Sequence, residues 1–151
     1  MALHSRVRRR TVACRSVVDA GKGAPVAKQL IQSENGPKPG GAYSPCLRAG
    51  DFIFVAGQGP FDPSTGQLVG ETIEQQTERT LENIRLLLAA AGATMADVVK
   101  ATVHLSDLSL FQRYNSVYAG YFPDPKPVRT TVGSQLLGIL VEIDVIAYVG
   151  E

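Results

Sequence analysis

The sequence predicts an α+β sandwich, with two helices packed on one face of a β-sheet. Three observations lead there. Thr72 to Ala91 carries one apolar stripe at helical spacing. Val98 to Leu105 and Val141 to Val149 alternate apolar and polar residues with the two-residue period of a half-buried strand. The elements run hairpin, helix, strand, helix, strand, strand, without an internal repeat.

At 151 residues the chain has the length of one domain able to bury a core. No apolar run is long enough to cross a bilayer, so no membrane partner is expected. Cys14 and Cys46 define no disulfide framework, which fits a reducing compartment. His4 and His104 stand apart from any cysteine cluster, so no metal site is expected. The net charge of +1 hides an asymmetry. Residues 1–25 hold six basic residues against Asp19, a net +5, whereas the remainder holds 9 basic and 13 acidic residues, a net −4. A mildly acidic body argues against a nucleic-acid partner.

Residues 1–25 are Arg-rich, with Ser5, Thr11 and Ser16, the composition of an organellar transit peptide. A disordered tail, or an upstream start codon, is the alternative reading; a basic nucleic-acid arm is a third. The protein is therefore expected in the cytoplasm, or in a chloroplast or mitochondrion if the leader is an address. The folded domain is expected over 26–151.

Lys28 to Gln32 is a short strand candidate, and Asn35 to Gly41 a loop by its Gly, Pro and Asn content. Tyr43 to Leu47, a turn at Ala49-Gly50-Asp51, and Phe52 to Ala56 form a hairpin. Asp62 to Gly66 is a further turn. In the long helix, Thr72 and Gln75 have capping-box spacing and Gly92 is a stop. Its buried stripe is Ile73, Thr77, Leu81, Ile84, Leu88 and Ala91. In the next strand Val99, Ala101, Val103 and Leu105 share one face, and Lys100, Thr102 and His104 the other. Ser109 and Gln112 suggest a second capping box, opening a helix to about Tyr121 that packs through Leu110, Tyr114, Val117, Tyr118 and Tyr121. The prolines from Pro123 to Pro127 end it.

Pro127 to Gly150 then reads as two strands. Val128, Thr130 and Val132 form the expected core face of the first, with Arg129 and Thr131 opposite. Val141, Ile143, Val145, Ala147 and Val149 form the core face of the second, with Glu142, Asp144, Ile146 and Tyr148 opposite. Arg129 and Glu142 are thus both expected on the non-core side. A planar cation with paired donors suits a carboxylate. A carboxylate base suits the activation of water. The bland alternatives are a structural arginine paired with an acid, and a glutamate that merely neutralises Arg129.

These residues also carry a family resemblance. Pro127-Val128-Arg129, Val141-Glu142-Ile143-Asp144 and Ile146-Ala147 resemble the reactive-intermediate deaminases, also called Rid, YjgF-like or endoribonuclease L-PSP proteins. The likeness runs from about Ala27 to Val149. It includes Gly41-Ala42-Tyr43-Ser44, Phe54-Val55-Ala56-Gly57-Gln58, Asp62-Pro63-Ser64-Thr65-Gly66, the Asn83 helix, Val98 to Val103, and Phe111-Gln112-Arg113-Tyr114-Asn115.

The resemblance implies a chorismate-mutase-like sandwich: a six-stranded mixed sheet with two helices on one face, assembled as a homotrimer with central sheets and clefts between subunits. It implies a strand inserted between those of Arg129 and Glu142. It implies hydrolysis of 2-imino acids to 2-oxo acids and ammonia without a cofactor. Arg129 would bind the substrate carboxylate and Glu142 would manage the water. Tyr43, Gly57, Asn115 and Thr131 fall at pocket positions; core packing for Tyr43 and a helix-surface amide for Asn115 are their alternatives.

The chain departs from the common pattern at Ala56, where a serine is frequent, and at Ala42 and Leu137, where proline is usual. It also has Thr131 in place of Cys or Ala, and a segment between Arg129 and Glu142 that is two residues shorter. These changes leave the Arg and the Glu intact but alter the pocket wall. Two other functions stay open: a non-catalytic small-carboxylate-binding regulatory trimer, and an endoribonuclease or translation inhibitor, which the acidic body disfavours.

Overall fold

The computed structural model describes residues 27–151, so the expected leader at 1–25 lies outside the described residues. The strands are β1 (Lys28–Leu30), β2 (Cys46–Ala49), β3 (Phe52–Gln58), β4 (Val98–Leu105), β5 (Val128–Gly133) and β6 (Val141–Tyr148). The helices are α1 (Ile73–Ala90) and α2 (Phe111–Tyr118). One six-stranded sheet runs in the order β1-β2-β3-β6-β4-β5. Only the β4–β5 pair is parallel, so the sheet is mixed, and both helices lie on one face. The α+β sandwich is as expected, and β4 stands between β5 and β6 as the resemblance implied.

Helix α1 forms where the stripe and the caps agree. Thr72 accepts a hydrogen bond from the Gln75 N–H, and the Gln75 side chain reaches back, closing the capping box. Ile73, Thr77, Leu81, Ile84, Leu88 and Ala91 are all buried, against Ile53 and Val55 of β3 and Ile143, Val145 and Ala147 of β6. Each buried Ile, Leu or Val side chain among these stabilises the fold by about 1.5–3 kcal/mol relative to exposure.

Two buried amides fix the helix to the site-bearing strands. Asn83 donates to the carbonyls of Gly59 and Phe61 (3.0 and 2.8 Å), just past β3. Gln76 donates to Gly70 and accepts from the Leu140 N–H (2.8 Å), at the entrance to β6.

Several local expectations are corrected. The N-terminal strand stops at Leu30, and β2 starts at Cys46, not Tyr43. In β4, Val98 is buried and Val99 is 43% exposed, because the ladder to β6 slips between Val98 and Lys100 and throws Val99 out of the core face. The Ser109–Gln112 capping box does not form. Asp107 accepts from the Ser109 N–H (2.7 Å) and caps a 3-10 turn at Leu108–Leu110, from which α2 continues only to Tyr118.

The largest correction concerns β5. Its partners in β4 are Ala101 for Arg129 and Val103 for Thr131. Side-by-side residues share a face, so Arg129 and Thr131 point to the helix side with the buried Ala101 and Val103. Val128 and Val132, expected in the core, are 67% and 38% exposed on the other side. The α2 aromatics fill the helix side at this sheet edge, and they take a cation there in place of a valine.

Candidate functional site

Arg129 sits in an aromatic cage. Its guanidinium carbon lies 4.5 Å from the ring centre of Tyr118 and 5.5 Å from those of Phe111 and Tyr114. The three rings come from one face of α2, spaced three and four residues apart, which places them in a row. Contact with ring faces favours the cation. Nη1 donates to the Asn115 side-chain oxygen at 2.9 Å and to the Tyr114 hydroxyl at 3.4 Å. Tyr114 is wholly buried, and that burial pushes its hydroxyl well above the usual tyrosine range, against the pull of the Arg129 charge. Tyr118 shifts upward for the same reason. Both therefore stay neutral beside a permanent cation, Tyr114 as acceptor and ring face and Tyr118 as ring face.

Among the described residues no carboxylate pairs with Arg129. The structural-pair alternative for this arginine thus finds no acid. Its Nε and Nη2 donors keep the fork that matches a carboxylate. Thr131, two residues along the same face, has a buried hydroxyl without a hydrogen-bond partner among the described residues.

Glu142 lies on the opposite, open face. Its neighbours on β6, Val141 and Ile143, point into the core. The carboxylate lies against the backbone of Gly57, where a Cβ would stand 2.6 Å from Oε1. Only glycine permits that approach. The β3–β6 ladder shifts between Val55 and Gln58, which brings Gly57 under the acid.

The structure thus brings Arg129 to Asn115, and Glu142 to Gly57, but it separates the two groups by the thickness of the sheet. The expectation that Arg129 and Glu142 share one side is corrected: a two-residue period says which side chains go together, not which side is core. Glu142 does not neutralise Arg129 within one chain. Tyr43 joins neither group. It is half exposed, accepts a hydrogen bond from the Gly40 N–H (3.1 Å), and lines a cavity of about 400 Å³ with Ser33, Lys38 and Pro45.

Phe111, Tyr114 and Tyr118 were not foreseen around Arg129. Tyr114 and Tyr118 read as packing, and the i, i+3, i+7 spacing of the three rings was the available signal. Burial pushes the Cys46 thiol up to about 11, which makes it a poor nucleophile at neutral pH. Among the described residues no group of His, Cys, Asp or Glu side chains could hold a metal ion, and no helix is long and apolar enough to cross a membrane.

Fold and site together define a small α+β protein whose Arg129 lies against three aromatic rings with no carboxylate partner among the described residues. The profile of the endoribonuclease L-PSP family matches residues 33–149, and the chain belongs to that family. It is 48% identical over 125 residues to a RutC family protein of Pyrococcus abyssi, covering 82% of this chain and 98% of the relative. It is 40% identical over 124 residues to the chloroplastic Reactive Intermediate Deaminase A of Arabidopsis thaliana, covering 81% and 66%. The structure of Escherichia coli TdcF with bound serine superposes with a TM-score of 0.74 at 29% identity, over 80% of this chain and 98% of that one.

Proposed function

We propose that the protein hydrolyses reactive 2-imino acids, of the 2-iminopropanoate and 2-iminobutanoate type, to 2-oxo acids and ammonia. The observation that carries this is the caged, carboxylate-free Arg129, a preorganised receptor for the substrate carboxylate. Water then attacks the C=N carbon, and Glu142 takes its proton. Gly57 holds that carboxylate by close approach. The Arabidopsis relative's name supports the reaction, and the serine on TdcF supports a small carboxylate ligand.

Opposite faces of one sheet cannot meet at one substrate within a chain. The reading therefore needs a second copy, with Arg129 from one subunit facing Glu142 from its neighbour in a homotrimer. The open face supports this: Leu30, Phe52, Phe54 and Tyr148 are each 40% or more exposed there, with Phe52 and Tyr148 ring centres 5.2 Å apart. Tyr43, on its exposed loop, would reach the site only from such a neighbour. In this reading residues 26–151 are the working domain, and 1–25 are a basic tail or an organellar transit peptide; the name of the chloroplastic relative supports the latter.

The test generates each imine with a threonine or cysteine dehydratase-type reaction and follows 2-oxo acid release. Wild type is expected to accelerate release, and Arg129→Ala to abolish the effect. Glu142→Gln is expected to keep carboxylate binding while lowering turnover about 10²-fold or more. Acceleration absent with both imines, with carboxylate binding retained, would select the non-catalytic binding trimer instead. An endoribonuclease reading finds no support in a body of net charge −4.

A further inference from the structure

The open face carries a histidine that the reading above does not use. His104 is the direct β4 partner of Glu142 on β6, so their side chains rise from neighbouring strands on one face. Such pairs have Cβ atoms about 5 Å apart. His104 Nδ1 lies 2.8 Å from the Ser134 hydroxyl. Ser134 is itself pinned, its N–H donating to the Leu105 carbonyl at 2.9 Å. On the next position, the Ser106 N–H donates to the Leu140 carbonyl at 3.0 Å, which ties the end of β4 to the entrance of β6. The imidazole is thus drawn toward β5, while the Glu142 carboxylate lies over Gly57 toward β3. The two polar ends lean apart, and no ion pair joins them.

We propose that His104, oriented by Ser134, is the proton donor that works opposite Glu142 across this gap. The proposal rests on the imine-hydrolysis reading. Imine hydrolysis needs two proton transfers in each of its two stages, and one carboxylate supplies only one partner. In the first stage the water oxygen bonds to the imine carbon as Glu142 takes the water proton. The C=N π pair moves to nitrogen, which takes the Nε2 proton of the His104 imidazolium, leaving a carbinolamine. In the second stage the carbinolamine hydroxyl returns a proton to His104, and the Glu142 carboxyl protonates nitrogen. The C–N bond breaks, C=O forms, and ammonia leaves. Both groups end as they began. Ser134 suits this role, since its oxygen accepts from Nδ1–H in the imidazolium and leaves Nε2 to the substrate.

The charged groups that face His104 on this side are Glu142 and Asp144 of β6 and Lys100 of its own strand; β5 brings only Thr130 and Val132.

The test compares His104→Ala, His104→Phe and Ser134→Ala with wild type and Glu142→Gln, in the full chain, with melting temperature and trimer mass recorded beside turnover. His104→Ala is expected to lower kcat about 10²-fold with KM little changed, the low end of what a positioned proton donor contributes. It should lose the alkaline limb of the kcat/KM pH profile, and added imidazole should restore turnover. His104→Phe keeps the packing and should lose kcat without rescue. Ser134→Ala should lose less than His104→Ala. Wild-type kcat and an unchanged pH profile in His104→Ala, with Glu142→Gln inactive, overturn this proposal and leave the deaminase reading standing. Absence of turnover in the wild type overturns both.

Discussion

Arg129 and Glu142 are held in opposite ways. Arg129 is surrounded: three rings, an amide and a phenol hydroxyl fix it from one helix, on the side of the sheet where the core lies. Glu142 is backed by bare glycine backbone on the face away from both helices. Under the proposed reaction the two settings suit two different tasks. A substrate anchor gains from rigidity, because a guanidinium fixed before binding loses little freedom when the carboxylate arrives. A group that handles water and protons gains from room, because solvent and a second proton carrier must reach it. Half of the proposed machinery thus lies within the packing of the helix face, and half lies on the open face of the sheet.

The widest break in this contrast is Arg129→Lys. It keeps the charge but loses the planar fork and the three ring faces. The expected outcome is about 10²-fold lower kcat/KM, mostly in KM, which corresponds to the roughly 1.5–3 kcal/mol of a charge-assisted hydrogen bond. Substrate titration separates KM from kcat. A lysine variant with wild-type KM would show that the cage serves stability and not recognition.

Gly57→Ala probes the other side. The new Cβ would stand 2.6 Å from Glu142 Oε1, so the flexible carboxylate must swing away while the backbone holds. The loss is expected in kcat and not in KM, at about tenfold, below the 10²-fold attached to a full 1 Å displacement of a reacting group. Melting temperature should barely move, because the clash is with the far end of a mobile side chain. Loss of stability with kcat unchanged would mean that the Gly57–Glu142 contact belongs to the fold alone.

The same contrast separates what the chain reveals from what it hides. Helix α1 was legible because stripe, caps and stop signal agree at Thr72, Gln75 and Gly92. The strand faces of β6 were legible because its two sides differ strongly in polarity. Those of β5 were not. Val128 and Val132 are apolar on the open side, which mixes exposed apolar residues such as Leu30, Phe54 and Tyr148 with the polar row of His104, Glu142 and Asp144. Alternation paired Arg129 with Thr131 correctly but could not tell the core from an open face that also carries valines. The slip at Val98–Lys100 and the Asp107 cap were hidden as well, since each replaces one plausible local bond with another nearby. The rings of α2 were read as packing; their cation comes from a strand further along the chain, and spacing within a helix carries no sign of it.

The smallest expected effect sharpens the cage itself. The Tyr118 hydroxyl is buried without a hydrogen-bond partner among the described residues, while its ring holds the shortest contact to Arg129. Tyr118→Phe removes the orphan oxygen and keeps the ring. A buried unsatisfied hydroxyl costs about 1–3 kcal/mol, so removing it should leave stability unchanged or raise it by up to about 1 kcal/mol. The ring face persists, so KM should stay within about twofold, against the larger shift of Arg129→Lys. Thermal melting and KM read the two effects independently. If Tyr118→Phe raises KM as much as Arg129→Lys does, the hydroxyl meets the ligand, and the cage binds by hydrogen bond as well as by ring face. If KM holds and the protein gains stability, the ring alone is the working part, and Arg129 is positioned by the aromatic row of α2 and by Asn115.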